Sequence, residues 1–319
     1  MHELRESILD VVGKTPLVRL SRLTSKLDGE ILAKLEYLNP GYSKKDRIAL
    51  QIVEDAEISG DLTPGQTIVE LTSGNTGTGL AIVSAIKGYS FVAVMSKGNS
   101  SERARQMRAC GAEVVLVDQA EGSYCGSVSG VDLALVEAEA DRQTRERSAF
   151  RPDQFVHRGN FRAHYLHTGP EILAQAGNCI DGFCDFVGSG GTFAGCAAAF
   201  KEHDSNIKCY IVEPEGAAVL SGGDGSRPKH PILGGGYSRP KLALLNDDHV
   251  DGYVQVTTND TVDACRRLTR EEGIFAGYSS GANVAAALQL LSGDLRGGSV
   301  TITINDSGLK YLSTDLWET

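Results

Sequence analysis

The chain has 319 residues, enough for one large or two ordinary domains, and its 41% apolar residues with 37 glycines fit a turn-rich α/β protein and exclude a fibre or a disordered chain. Against 41 acidic side chains there are 31 basic ones, a formal charge of -10 with no lysine or arginine stripe, so nucleic acid is not an expected partner whereas a small anion held at a local site is. No apolar run approaches the roughly 20 residues of a membrane span, the start Met1 to Asp10 is polar, and the seven cysteines form no Cys-x-x-Cys pair, so a cytoplasmic protein with free thiols, no disulfide framework and no metal site is expected.

In chain order, Glu30 to Tyr37, Thr67 to Thr72, Ser90 to Met95 and Glu113 to Val117 are short β-rich runs that read as strands. Helical patterns at Lys45 to Ile58, Thr76 to Lys87 and Ser101 to Cys110 lie between them, an order that implies βαβ units and a parallel sheet. A longer polar helical stretch, Val131 to Arg147, precedes Pro152, where a domain junction is placed. Beyond it, strands at Phe183 to Val187, Cys209 to Val212, Tyr253 to Val256 and Val300 to Ile304 and helices at Thr192 to Lys201, Thr261 to Glu272 and Gly281 to Leu291 make a second α/β layer. The irregular stretch Gly216 to Leu242 is too long for an ordinary connection and reads as a functional loop.

Chemistry enters at Asn39-Pro40-Gly41-Tyr42-Ser43-Lys44-Lys45-Asp46-Arg47, which ends the first strand-like run and starts a helix. Ser43 with Asp46 three residues on reads as an N-cap, which puts Lys44 and Lys45 in the first helical turn. The helix dipole disfavours a cation there by only about 0.3 to 1 kcal/mol, whereas full desolvation can move a lysine's pKa by roughly 3 to 5. Burial would therefore do most of the work of making a neutral amine that forms an imine with a carbonyl. On this stretch alone, a solvated lysine pair capping a surface helix is the competing reading.

Two glycine-rich turns lie past strand ends and at helix starts. Thr72-Ser73-Gly74-Asn75-Thr76-Gly77 offers hydroxyls, an amide and N-H groups, a neutral cradle suited to a carboxylate. Gly188-Ser189-Gly190-Gly191-Thr192 suits a phosphate held by backbone N-H groups; neither turn is a Walker loop or a dinucleotide fingerprint. Each alone could be a tight turn. An imine lysine, a carboxylate cradle and a phosphate loop together are the three parts that an amino acid bound to pyridoxal phosphate requires.

The chain resembles the cysteine synthase (O-acetylserine sulfhydrylase) and cystathionine β-synthase family of pyridoxal-phosphate enzymes. The resemblance is carried by Gly13-Lys14-Thr15-Pro16-Leu17-Val18-Arg19-Leu20, the Asn-Pro-Gly to Lys-Asp-Arg stretch, the Thr-Ser-Gly-Asn-Thr-Gly turn, Gln154-Phe155, Thr168-Gly169-Pro170-Glu171-Ile172, the Gly188 to Thr192 loop, Glu272-Gly273-Ile274, Ser279-Ser280-Gly281 and Asp306-Ser307-Gly308. It implies the two-domain fold type II, tryptophan synthase β-like, with parallel-rich sheets flanked by helices. Residues 1-38 and 150-319 would form the larger, phosphate-binding domain, and 39-149 a smaller mobile domain carrying the substrate-carboxylate loop, with the cofactor in the cleft between them and the chain a homodimer.

By the same resemblance Lys45, which directly precedes Asp-Arg, carries the internal aldimine of pyridoxal 5'-phosphate. Asn75 meets the cofactor's phenolic oxygen, Gly188, Ser189, Gly190, Gly191 and Thr192 hold its phosphate, and Ser279 faces its pyridine nitrogen. A hydroxyl there, unlike a carboxylate, does not stabilise a protonated ring, which favours loss of a β-leaving group. Thr72, Ser73, Asn75, Thr76 and Gln154, with Gly236 and Tyr237, would bind the substrate. The implied activity is β-replacement on O-acetylserine or O-phosphoserine, through an aminoacrylate that a thiol or sulfide attacks.

Departures from the pattern keep the substrate open. Ser96-Lys97-Gly98-Asn99-Ser100 stands where cysteine synthases have Pro-Glu-Thr-Met-Ser, and Gly234-Gly235-Gly236-Tyr237-Ser238-Arg239 where they have Gly-Ile-Gly-Ala-Gly-Phe. Tyr237 is similar to cystathionine β-synthases, and Ser238-Arg239 looks like relatives that use O-phosphoserine. Lys97 or Arg239 reading a charged substrate group is one expectation, a solvated surface role the other. A cystathionine-forming or sulfide-releasing lyase, a serine/threonine dehydratase and a non-catalytic binding partner are the remaining alternatives.

Overall fold

Apolar strand runs alternate with amphipathic or wholly apolar helices, and this alternation sets the layers. The computed structural model describes residues 4–72, 74–121, 128, 130–177, 179–227 and 230–318. Strands β1 (Leu17–Arg19) and β2 (Glu30–Lys34) precede helix α1 (Lys45–Ser59), β3 (Thr67–Leu71), α2 (Asn75–Lys87), β4 (Ser90–Ser96), α3 (Ser101–Ala109), β5 (Glu113–Val117) and α4 (Gly130–Glu146). Then come α5 (Arg158–Ala163), a π-helical turn His164–Thr168, α6 (Gly169–Ala176), β6 (Gly182–Phe186), α7 (Gly191–His203), β7 (Lys208–Pro214), β8 (Gly252–Val256), α8 (Thr258–Glu272), α9 (Tyr278–Ser292) and β9 (Ser299–Thr303). The chain divides into two compact units, one of Met1–Val12 with Lys45–Gly159, the other of Gly13–Lys44 with Asn160–Thr319.

In the first unit β3, β4 and β5 form a parallel sheet, with Val69 opposite Val92 and Val94 opposite Val115. Phe91 to Ser96 are all buried, as expected of a central strand covered on both faces. Period-2 alternation divides their side chains between two cores. Ile68, Phe91, Ala93 and Met95 pack with residues of α1, α2 and α3, whereas Val69, Val92 and Val94 pack with Val136 and Ala140 of α4.

The second unit carries a six-stranded sheet in the order β1-β2-β9-β6-β7-β8, parallel except for the antiparallel edge strand β1. Its two faces bury separate cores. One gathers Ile31, Phe186, Val254 and Ile302 with the inner faces of α8 and α9, and the other gathers Phe183, Cys209 and Ile211 with α6 and α7. Phe183 stacks on Phe193 at 5.9 Å and meets Phe200 edge-on at 5.1 Å. Truncating any one of the three to alanine should cost about 3 to 5 kcal/mol. The expected strands and helices are present to within a few residues at each end. The three-residue β1 is too short to show a period, and the run from α5 to α6 carries no strand or helix signal of its own.

The helix expected to be capped by Ser43 starts later. Ser43 makes an antiparallel bridge with Asp306, which keeps the chain extended through it, and the first helical residue is Lys45. Between β7 and β8 the described residues hold only two 3-10 turns, Glu215–Ala217 and Asp247–His249, so the long glycine- and proline-rich stretch is a loop, as expected.

Candidate active site

Lys44, the residue before α1, is fixed in the second unit by both its backbone and its side chain. Its N-H donates to the Asn305 carbonyl at 2.9 Å, and its Nζ lies 2.8 Å and 3.0 Å from the two oxygens of Asp185 on β6. Asp185 is 1% exposed. A buried carboxylate is tolerable only when paired and hydrogen-bonded, and here Asn283 Nδ2 and Thr303 Oγ1 also donate to Oδ1, at 3.0 and 2.6 Å. Lys45 follows immediately and opens α1.

The segment Asn305–Ser307 explains why the Asp-Ser-Gly motif near the end of the chain belongs to this site. Besides accepting from Lys44, Asn305 takes the Ser280 hydroxyl oxygen on its N-H at 2.9 Å, the Asp306 carbonyl accepts from Gly277 N at 3.1 Å, and Ser307 N donates to the Tyr42 carbonyl at 3.1 Å. One stretch of backbone thus aligns the chain leading to Lys45 with the first turn of α9. Ser279 is the second residue of α9 and is 7% exposed.

In the first unit the turn after β3 is held together by its own hydroxyls. Thr72 Oγ1 accepts from Gly77 N at 2.8 Å, and Thr76 Oγ1 donates to Gln154 Oε1 at 2.7 Å. Asn75 is the first residue of α2, whose leading N-H groups lack intrahelical partners. Ser73 lies outside the described residues. A Cβ at Gly79 would stand 3.0 Å from the Lys45 carbonyl oxygen and 3.2 Å from Asp46 Cα, so a bare glycine lets the starts of α1 and α2 cross closely.

The glycine-rich loop expected to hold a phosphate runs from the end of β6 into α7. Gly190 is left-handed, with φ +82°, which glycine adopts without strain. A Cβ at Gly188 would lie 2.3 Å from the Gly234 carbonyl oxygen and one at Gly191 2.1 Å from Asn160 Oδ1. Asn160 Nδ2 donates to Ser189 Oγ at 2.8 Å, and His164 stands between Thr192 Oγ1 at 3.1 Å and Thr168 Oγ1 at 2.9 Å. Asn160 and His164 are wholly buried, and His164 opens the π-helical turn. Neither was singled out in the sequence, where both look like scattered polar residues.

Gly236 N donates to the Val187 carbonyl at 3.0 Å, so the Gly234–Gly236 run interlocks with the start of the phosphate loop. A small cavity there is lined by Gly188, Glu213, Gly236, Tyr237, Ser238 and Arg239. Lys97 is exposed and lies 2.6 Å from Asp118. Among the described residues no group of three or more His, Cys, Asp or Glu is placed to hold a metal ion, and no helix is long and apolar enough to cross a membrane.

These residues fit pyridoxal phosphate. Glycines leave the Gly188 to Thr192 backbone bare at the start of a 13-residue helix, as a phosphate requires. Asp185 holds Lys44 in a buried ion pair, and Lys45 follows it as the first residue of α1.

A family model described as pyridoxal-phosphate dependent enzyme matches residues 8–306. A cysteine synthase of Staphylococcus aureus is 40% identical over 313 residues, covering 98% of this chain and 97% of that protein. Among solved structures, an O-acetylserine sulfhydrylase, isoform 3, of Entamoeba histolytica matches with a TM-score of 0.90 at 34% identity, covering 100% of this chain and 93% of the other. A hydrogen sulfide-producing enzyme of Fusobacterium nucleatum matches with a TM-score of 0.88 at 36% identity, covering 98% and 99%. Over nearly its whole length, the chain belongs to the cysteine synthase family of pyridoxal-phosphate-dependent enzymes of fold type II.

Proposed function

We propose that the protein replaces the β-substituent of an activated L-serine, O-acetylserine or O-phosphoserine, with a sulfur nucleophile. The observation that supports the reading is the close approach at Gly79 of α1, which Lys45 opens, and α2, which Asn75 opens. The neutral turn of Thr72, Asn75 and Thr76, with Ser73 and Gln154, holds the substrate's carboxylate, and Gly236 and Tyr237 contribute to substrate binding. Gly188, Ser189, Gly190, Gly191 and Thr192 hold the cofactor's phosphate, Asn75 its phenolic oxygen and Ser279 its pyridine nitrogen.

Bound pyridoxal phosphate supplies an electron sink for the pair left on Cα when its proton is removed. Lys45 Nζ takes that proton. The Cβ–O bond breaks with its electrons leaving on acetate or phosphate, the sulfur of a thiolate or hydrosulfide ion supplies the electron pair of the new Cβ–S bond, and Lys45 returns its proton to Cα. The protein works as a homodimer, and the six described cysteines, all free thiols, agree with the reducing cytoplasm.

Release of sulfide from cysteine is a second reading, favoured by the match to the Fusobacterium nucleatum enzyme, and it shares the steps up to loss of the β-substituent. A product assay over O-acetylserine, O-phosphoserine, serine and cysteine, each with sulfide or homocysteine, tests both. Cysteine from an activated serine plus sulfide is the expected product; sulfide release from cysteine alone would establish the second reading instead. If a phosphate or carboxylate is read by Arg239, Arg239→Ala should cost roughly 10- to 150-fold in kcat/KM for the charged substrate only.

A further inference from the structure

Glu70 is the second-last residue of β3, two positions before Thr72, and is 1% exposed. A carboxyl in a strand covered on both faces is costly unless its oxygens are engaged. Glu70 Oε2 accepts the Asp153 N-H at 2.9 Å, and Gln154 N-H also bonds the carboxyl. Arg151 stands on the other side with its Nε 3.9 Å away, beyond hydrogen-bonding range. Its two terminal nitrogens are committed to Asp141 and Glu137 of α4, each at 2.8 Å, so the guanidinium is a fixed strut.

What Glu70 holds is a strained turn. Asp153 has φ +40°, a left-handed conformation uncommon outside glycine, which persists where its surroundings over-determine it. The next residue is Gln154, whose Oε1 accepts from Thr76 Oγ1 at 2.7 Å. The bonded path therefore leaves β3 at Glu70, passes through Asp153 and Gln154, and returns at Thr76 to the turn that β3 itself feeds.

We propose that Glu70 is a positioning residue for the substrate-carboxylate grip: by clamping the Asp153–Gln154 backbone it sets the Gln154 amide against Thr76. This rests on the reading that Thr76 and Gln154 bind the substrate's carboxylate. Glu70 touches neither substrate nor cofactor. Its effect is confined to ligands that carry a carboxylate, and it depends on the reach of its side chain more than on its charge.

The test uses holoenzyme and two ligands, L-alanine and ethylamine, which differ by the carboxylate and lack a leaving group. Dissociation constants are read from the change in the bound cofactor's visible absorbance. Glu70→Asp keeps the charge but draws the oxygens back by one methylene, and should weaken L-alanine about five- to tenfold, the loss of one buried hydrogen bond, with ethylamine unchanged within about twofold. Glu70→Gln keeps the reach and an acceptor oxygen, and should stay within about twofold of the parent for both. L-alanine unchanged by Glu70→Asp, or both ligands weakened equally, overturns the proposal. Should Glu70→Asp not yield folded holoenzyme, Asp153→Gly loosens the same turn while leaving Glu70 in place, and an unchanged affinity for L-alanine there overturns it too. Gln154→Ala separates the two levels. If it weakens L-alanine while Glu70→Asp does not, only the role of Glu70 falls; if Gln154→Ala also has no effect, the carboxylate reading falls with it.

Discussion

Lys44 Nζ lies 2.8 Å from the Asp185 carboxylate, and both groups are buried, so the first of two adjacent lysines is anchored by an ion pair. Helix position alone leaves the two equivalent, and it is the family resemblance that singles out Lys45 in the sequence. The ion pair gives Lys44 a partner 141 residues away, while Lys45 opens α1.

The pair makes opposite predictions for the two lysines. Lys44→Met leaves the Asp185 carboxylate buried without its cation and should cost about 3 to 5 kcal/mol of stability, while the visible absorbance of lysine-bound cofactor persists. Lys45→Ala should cost about 1 kcal/mol or less and abolish both the absorbance and turnover. Urea melts and spectra of the two variants check this. The reverse pattern would move the imine to Lys44.

The contrast between these lysines shows where sequence reading stops. Strand and helix runs were legible because each carries its own period, and the glycine loops were legible because their composition is local. Glu113 to Val117, for example, is a strand with the expected bounds. Asp185, Asn160, His164 and Glu70 were passed over, since each acts through a partner distant in sequence. A signal existed for two of them. Phe183-Cys184-Asp185-Phe186-Val187 and Thr67-Ile68-Val69-Glu70-Leu71 each set one carboxylate inside an apolar strand, and charge is almost never fully buried unless paired.

Gly191 gives a test of the phosphate loop. An added Cβ would press on the buried Asn160 side chain at 2.1 to 2.7 Å, and Asn160 is held there by Ser189. Gly191→Ala should therefore cost about 1 to 3 kcal/mol of stability through overpacking, and weaken retention of pyridoxal phosphate about tenfold or more. Cofactor release on dialysis, followed by absorbance, reads the second effect. A variant that holds the cofactor as the parent does would remove Asn160 and Gly191 from the phosphate site.

Thiol chemistry should sort by burial. Burial pushes the Cys209 and Cys265 thiols up to about 12 and raises Cys184 well above the usual thiol range, whereas Cys179 is exposed. Since the thiolate is the reactive form, iodoacetamide at neutral pH should label Cys179 in the native protein and reach Cys184, Cys209 and Cys265 only after unfolding. Peptide mass spectrometry of native and denatured samples checks the order. Labelling of Cys265 at the rate of Cys179 would mean that the packing around α8 and α9 opens readily.

Glu70 also predicts how stability varies with pH. Burial lifts its carboxyl from 4.5 to about 8, with Asp153 pushing the same way and Arg151 and the backbone N-H groups of Asp153 and Gln154 pulling it down. A group whose folded pKa is raised stabilises the fold fully below its unfolded pKa, and that contribution is lost as pH rises through the folded value. The unfolded chain releases this proton near pH 4.5 and the folded one near 8, so the parent should lose on the order of 2 to 5 kcal/mol across that window from this group. Glu70→Gln has no proton to release and should lose none of it. Urea melts of both proteins at about pH 5, 6.5 and 8.5 give the difference directly, with the other titrating groups common to both. Their curves should separate as pH rises, with the variant gaining on the parent. Parallel curves would mean that Arg151 keeps Glu70 ionised throughout, and that the carboxylate clamps the Asp153–Gln154 turn as a full anion even at pH 5.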